Sequence, residues 1–592
     1  MKRAKTYLVL TFVFIVLTFS GSFVFNQTEC ASDNADWPAY PEHCTTVLVG
    51  KDASVDGSVI ACQTADCGMC DFTWHYFPAA DHTEGSARKI YHINQIRTWP
   101  PEVGGKWVKY VEGYTGVDIP QVPHTYAYQR GVFGHMNEHQ LGIVESSIGC
   151  QRKMMNPTPS AIMDITTLTL LAMERCKTAR EAIKLMGSMA EKYGYGFHDR
   201  GEMLGVADPQ EIWLFEVMPV GPLWTPDSEK PGAVWCAQRV PDDHLSFCPN
   251  ESRIGEIDLD NEDVFMASPN VISYAVENGF YDPESGDPFS WKRAYSPSPG
   301  SANSTQGGRR GRLWRLFSLA APSQNFDPST EGMDLPFSVK PDKKLSVKDV
   351  MDITRDKYQG VRFDPANGVK GGPFSNPNYF LGFEVDDQRY GGPRCICVNR
   401  AEYTTITQSR SWLPNPFGGI NWIAFGAQDT SCYVPLYCGI TEMPESFTKG
   451  DHFVFNRDSA RWAFDYVDFH TQVVYSYAIE DVKKVQERWE GGFLKKVPLM
   501  DKAALELYEK NPDEAIAFIT DFCVNNAKAV VDAWWELGDD LLVKYNHFRI
   551  YDAETRRVGR VQTPESWNRA VIEHDKLVPM TLPTPPPKKK EN

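Results

Sequence analysis

A regular pattern of apolar and polar positions begins at residue 44. Before it, Tyr40-Pro41-Glu42-His43 has no apolar period; after it, Thr45-Thr46-Val47-Leu48-Val49 is β-branched and apolar. A turn signal at Asp56-Gly57 and a second run, Ser58-Val59-Ile60-Ala61, complete the pattern of a buried hairpin. Residues 44 to 150 read as strands and loops, and 161 to 194 as two helices. The second helix has a capping box at Thr178-Ala179-Arg180-Glu181, an apolar face of Ala182, Ile183, Leu185, Met186, Met189 and Ala190, and Gly194 at its end. Strands return at Gly205-Val206-Ala207-Asp208, Ile212 to Val217 and Val234 to Val240. Residues 283 to 311, rich in Pro, Ser and Gly, predict a long surface loop. Further strands are expected at Tyr379 to Val385, Arg394 to Val398, Thr404 to Thr407, Trp422 to Phe425 and Ser431 to Tyr437. Asn511-Pro512-Asp513-Glu514 opens a long helix, with Asn as cap and Pro in the first turn. The terminal Pro585 to Lys590 reads as a disordered polar tail. Strand and helix blocks without regular βα alternation predict an α+β fold of stacked helices and antiparallel sheets.

The head of the chain has a different pattern. Lys2, Arg3 and Lys5 precede an almost wholly apolar stretch from Tyr7 to Phe25, and polarity rises from Asn26 to Ala31. That order predicts a secretory signal peptide over 1–31, cut after Ala31. An uncleaved anchor is the competing reading, because the stretch approaches spanning length. Cleavage would leave no stable membrane insertion and a secreted or periplasmic protein.

At 592 residues the chain is one large domain with an appendage, or two domains. Sixty basic residues against 77 acidic ones give a net charge of −17, which argues against nucleic acid as a partner. There are 14 cysteines, and in an exported chain some are expected to pair. Cys67-Gly68-Met69-Cys70 has the spacing of a zinc half-site, but no second half follows, so a disulfide or a surface loop is favoured. Cys395 and Cys397 are too close for an easy mutual bridge.

Cys44 sits on the seam between leader and hairpin. A thiol is a strong nucleophile only as thiolate and needs a base. A cysteine that begins a mature chain carries its own, the α-amine, with an ordinary pKa of roughly 7.7–8. Cutting His43–Cys44 would therefore create nucleophile and base in one residue. The plain alternative is a buried or disulfide-bonded cysteine.

The run from Cys44 to Ser58 resembles the N-terminus of dipeptidase A-type peptidases. These are cysteine N-terminal-nucleophile (Ntn) hydrolases related to secernins and, more distantly, to penicillin V acylase and bile salt hydrolase. Matches continue, in order, at Asn137-Glu138, Gly142 to Gly149, Lys177 to Ile183, Ala207 to Trp213, Arg239 to Asp243, Gln408-Ser409-Arg410 and Val434 to Thr441. The resemblance covers about residues 44 to 490. It implies a four-layer αββα sandwich of antiparallel sheets, with Cys44 opening a strand at the sheet edge. It also implies a propeptide, 32–43, removed by thiol attack on the His43 carbonyl. The catalytic domain would span 44–494, and a C-terminal helical extension and tail 495–592. The substrate would be a dipeptide or another small amide with a free amino terminus.

The same resemblance assigns Asp66 to hold the α-amine. Gln63 stands where the family commonly has Arg, so cationic support of a thiolate is in doubt. Asn250 matches an oxyanion-hole position, though it also lies in an Asn-x-Ser sequon. Ser147 lines the site, and Arg312 matches a site-lining Arg, with Arg309, Arg310 and Arg315 as competitors. An amidase acting on N-acyl amino acids or cell-wall fragments, and a non-catalytic binding protein of the same fold, remain alternatives. No cofactor is called for. Beyond about 495, the helices carrying Trp534 and Trp535 either cap the core or make a homo-oligomer contact.

Overall fold

The computed structural model describes residues 44–68, 70–91, 114–155, 160–196, 200–297, 309–380 and 383–580. The expected signal peptide, propeptide and polar tail lie outside the described residues.

The hairpin expected at residue 45 forms. Strands β1 (Thr45–Val49) and β2 (Val59–Ala65) pair antiparallel, with Val47 opposite Cys62. A first strand set follows in sequence: β3 (His75–Phe77), β4 (Tyr128–Arg130), β5 (His135–Asn137), β6 (Gly142–Ile148), β7 (Gly201–Ala207), β8 (Ile212–Pro219) and β9 (Ala233–Arg239). Then come β10 (Leu245–Cys248), β11 (Phe265–Ala267), β12 (Ser338–Val339), β13 (Tyr403–Ser409), β14 (Gly419–Phe425) and β15 (Val434–Tyr437). They make two antiparallel sheets. One runs β12-β10-β1-β2-β13-β14-β15 and the other β11-β9-β8-β7-β6-β5-β4-β3. Cys44 was expected to open a strand at the sheet edge. Instead β1 lies inside the sheet between β10 and β2, because both its faces and both its flanks are buried.

Side-chain alternation sorts the core into layers. Leu48, Val59 and Ala61 point to one side and pack with Val144, Met203, Leu214 and Met218 of the other sheet. Val47, Val49 and Ile60 point to the opposite side, into a cluster with Leu316, Val350, Phe464 and Trp534. Those residues come from the helices α3 (Arg309–Ala320), α4 (Val347–Thr354), α5 (Ala460–Val473) and α7 (Pro512–Tyr545). On the far side, Ile143, Leu204 and Phe215 pack with Leu168, Ile183 and Met186. These last belong to the helices over Ile165–Arg175 (α1) and Ala179–Tyr193 (α2). The long helix Tyr475–Tyr508 (α6) lies against α5, α7 and β15. The fold is mixed α+β, with antiparallel sheets and long C-terminal helices.

The local signals are met where they were strongest. Thr178 and Glu181 close a reciprocal capping box, and Gly194 ends α2 with φ 73°. Asn511 caps α7 by accepting from the Glu514 amide. Trp534 is fully buried, so it belongs to the core, while Trp535 is partly buried against it. Two expectations fail. Arg394 to Val398 forms no strand: Cys395 and Cys397 are buried by irregular backbone. Within 283–311, Trp291–Tyr295 is a helical turn whose Trp291 and Tyr295 enter the inter-sheet core, outweighing the turn-forming residues around them.

Candidate active site

Cys44 heads β1 and is 4% exposed, with its thiol free. The disulfide among the described cysteines joins Cys67 and Cys70. The Cys44 Sγ–H points to Glu145 Oε2 at 3.6 Å. Burial pushes this thiol well above its ordinary pKa; the Glu145 and Asp66 carboxylates push it further, and the Asp66 backbone amide pulls the other way. A resting thiolate is therefore disfavoured. A nucleophilic role for this sulfur would require its proton to leave during the attack.

Four residues around the strand end fix its position: Thr64, Asp66, Arg394 and Arg312. Thr64, opposite Thr45 on β2, accepts the Thr45 amide at 3.1 Å and donates to Asp66 Oδ2 at 2.8 Å. Asp66 is completely buried, not a solvated turn residue. Arg394 donates to the same Oδ2 at 2.6 Å, while Asp66 Oδ1 has no hydrogen-bond partner among the described residues. On the other side Arg312, from α3, donates to the Cys44 carbonyl at 2.7 Å and to Thr45 Oγ1 at 2.8 Å. Its second terminal nitrogen donates to the Pro249 carbonyl and to Asn250 Oδ1, each at 2.9 Å. Burial first, and then the Arg394 charge, bring the Arg312 guanidinium down to about 9, so it stays protonated at neutral pH. Arg315 turns away and pairs with Asp356 at 2.6 Å.

Asn250 follows β10 in left-handed backbone (φ 67°), a conformation Asn tolerates. Its Nδ2 donates to Ser146 Oγ at 3.2 Å and to the Ser147 carbonyl at 2.8 Å. With 5% exposure and its amide so engaged, the folded sequon presents no face for a glycan. The same engagement means that an oxyanion would have to compete with β6 for the Asn250 amide.

Gln63 and Glu145 clasp each other across the two sheets. The Glu145 amide donates to Gln63 Oε1 at 2.8 Å, and Gln63 Nε2 donates to Glu145 Oε2 at 3.2 Å. Ser147 Oγ donates to Glu145 Oε1 at 3.2 Å. Glu202, on β7 opposite Ser147, completes the group by a side-chain hydrogen bond with Glu145. Burial, then Glu145, hold the Glu202 carboxyl well above its usual range, against smaller opposing effects of Ser147 and Arg200.

The six sequence-derived residues thus fall around one strand end. Cys44, Asp66, Asn250 and Arg312 connect through hydrogen bonds at the sulfur's own backbone, while Gln63 and Ser147 meet at Glu145. Sequence reasoning missed Glu145, Glu202, Thr64 and Arg394. For Glu145 there was a signal: an ionisable residue inside the strand Gly142 to Gly149, directly after the apolar Ile143-Val144. Arg394 gave none, because it reaches Asp66 from irregular chain far along the sequence.

The model for peptidase family C69 matches residues 43–488. A "Probable dipeptidase" of Salmonella dublin is 28% identical over 425 residues, covering 69% of this chain and 83% of that protein. A "Dipeptidase" of Bifidobacterium longum is 24% identical, covering 68% of this chain and 72% of its own. "Dipeptidase A" of Lactobacillus helveticus is 24% identical, covering 70% and 79%. Among solved structures, a mutant conjugated bile acid hydrolase from Clostridium perfringens aligns with 70% of this chain at 9% identity and a TM-score of 0.24, too loose a superposition to carry fold or function. The family match begins one residue before Cys44 and takes in every residue named around it: the chain belongs to peptidase family C69.

Proposed function

We propose that this protein is an exported, self-processing cysteine dipeptidase of the Ntn-hydrolase type, with Cys44 as nucleophile and its own α-amine as base. One observation carries the reading. The buried free thiol heads an inner strand, and beside it stands a buried carboxylate, Asp66, with one oxygen fixed by Thr64 and Arg394 and the other without a partner among the described residues. An α-amine released at Cys44 would supply that missing partner. The helix–sheet–sheet–helix order of the core supports the αββα arrangement, and the names of the relatives support the dipeptide substrate.

In the uncut chain the Cys44 sulfur attacks the His43 carbonyl carbon. The C–N bond breaks, the thiol proton ends on the departing nitrogen, and water hydrolyses the thioester to free the leader and restore the thiol. In the mature enzyme the α-amine takes the thiol proton during attack on the dipeptide carbonyl and returns it to the leaving amine. Water then releases the acyl residue. Burial of the thiol, which disfavours a free thiolate, supports this coupled transfer. Gln63 fits the same picture, since no cation is needed to hold a thiolate that does not accumulate. The leader before Cys44 is the support for export.

N-terminal sequencing and intact mass of the purified protein test the reading. A chain beginning at Cys44 is expected, with dipeptide hydrolysis abolished and the leader retained in Cys44→Ala. A mature chain beginning elsewhere, together with undiminished hydrolysis by Cys44→Ala, would overturn it.

A further inference from the structure

We propose that Arg394 is a positioning residue for the catalytic base: by engaging one oxygen of Asp66, it lets that carboxylate orient the α-amine released at Cys44 without holding it as an inert ammonium. This rests on the reading that Cys44 begins the mature chain. An amine must be neutral to accept a proton. A buried carboxylate beside it works against that, because it stabilises the charged ammonium. Asp66 is thus useful for direction and harmful if its whole charge acts on the amine.

A cation stands where it resolves this conflict. Arg394 Nη2 donates to Asp66 Oδ2 at 2.6 Å, the oxygen that also accepts from Thr64. Asp66 is completely buried and the Arg394 side chain is 13% exposed, so water screens the two charges little. Arg394 is itself held in place. Its carbonyl accepts from the Tyr358 hydroxyl at 2.9 Å, and its Nη1 donates to the Cys395 carbonyl. Cys395 packs in a cluster with Trp314, Tyr358 and Phe363. Trp314 lies on α3, the helix that brings Arg312 to the Cys44 carbonyl. One small cluster therefore braces both guanidiniums. They are close enough that, after burial, the Arg394 charge is the largest influence on Arg312.

The distribution of charge around Cys44 agrees with this role. The sulfur faces the Glu145 carboxylate at 3.6 Å, whereas one guanidinium grips the Cys44 carbonyl and the other grips Asp66. The further titratable groups acting on this strand end are Glu202 on β7, Tyr403 on β13, and Glu251 and Tyr358, which act on Arg312. All of these stay the same residues when position 394 is exchanged, so a difference between such variants reports Arg394. Without that cation the Asp66 charge acts on the amine undiminished, and the ammonium form persists to higher pH.

The test is the pH dependence of kcat/KM for alanylalanine in the mature protein, compared among wild type, Arg394→Lys and Arg394→Gln. The acid limb of that profile reports the essential base of the free enzyme. In wild type it should lie at or below about 8, the ordinary value of an α-amine, and a limb above about 9 overturns the assignment. Arg394→Gln should move the limb up by about one pH unit or more, with activity below the limb down about tenfold and largely restored above it. Arg394→Lys keeps the charge but not the planar fork, and should move the limb by about 0.3–0.5 unit. A defect in folding alone would lower the rate at every pH and leave the limb where it was. If Arg394→Gln does not fold, Arg394→Lys carries the comparison. A limb at the wild-type pH in the variants that fold and begin at Cys44 overturns the proposal while leaving Cys44 catalysis standing. A wild-type chain that never matures at Cys44 defeats the dipeptidase reading itself, and this assignment with it.

Discussion

At the scale of single residues, Asp66 is under the heaviest demand. Its carboxylate is buried, shares Oδ2 between Thr64 and Arg394, and on the proposed reading turns Oδ1 to the new amine. Asp66→Asn keeps the shape and removes the carboxylate charge that faces Arg394. Leaving one ion of a buried pair uncompensated costs about 3–5 kcal/mol. Urea unfolding is expected to show that loss, and the double variant Asp66→Asn/Arg394→Gln should recover part of it because both charges of the pair are then gone. Turnover should stay depressed in both, by about 100-fold or more, since neither orients the amine. Recovery of activity in the double variant would separate Asp66 from the amine. The residues at this scale were unevenly legible. Cys44 stood out by its position on a seam. Asp66, Asn250 and Arg312 came only from the order of motifs, because contacts separated by 62 to 328 residues leave no local periodicity.

At the scale of elements, packing between the sheets decides what each strand tolerates. Gly205 on β7 faces Leu48 so closely that an added Cβ would stand 2.4 Å from Leu48 Cδ2 and 2.8 Å from Val144 Cγ2. Gly205→Ala should therefore destabilise by about 1–3 kcal/mol through overpacking. The midpoint in urea measures it, and adding Leu48→Ala should offset the clash while introducing a cavity of its own. The elements with complete local signals were readable from sequence: the β1–β2 hairpin from its two β-branched, apolar runs and the turn between them, α2 from its caps, and α7 from Asn511-Pro512. The failures share a cause. Arg394 to Val398 has the composition of a strand, yet here the irregular chain is held by side-chain bonds, Arg394 to Asp66 and Cys397 to Asp429 among them. Tertiary contacts overrode propensity there, as they did at Trp291.

At the scale of the whole molecule, the C-terminal helices join the catalytic core through buried charge as well as apolar packing. Lys357, beyond α4, pairs with Asp429 at 3.1 Å, and Asp468 on α5 lies beside them, accepting from Thr430 and Gln472 at 2.9 Å each. Burial and the neighbouring Asp429 raise the Asp468 carboxyl to about 6, against Lys357, Thr430 and Gln472, which lower it. The folded state thus binds this proton more tightly than the unfolded chain. Its stabilisation is fully present below the unfolded value of about 3.9 and is lost as pH rises through about 6, an effect of roughly 3 kcal/mol. Across pH 4 to 6.5, wild type should lose stability relative to Asp468→Asn. Parallel stability–pH curves for the two would refute this.

Arg312 lies 268 residues downstream of the carbonyl it grips. The end of β1 therefore has no fixed address until α3 has been synthesised and docked, and Asp66 lacks its guanidinium until residue 394 has followed. If the chain cuts itself, excision is a late checkpoint: an emerging polypeptide keeps its leader through most of translation, and only a nearly finished fold can set its own nucleophile free.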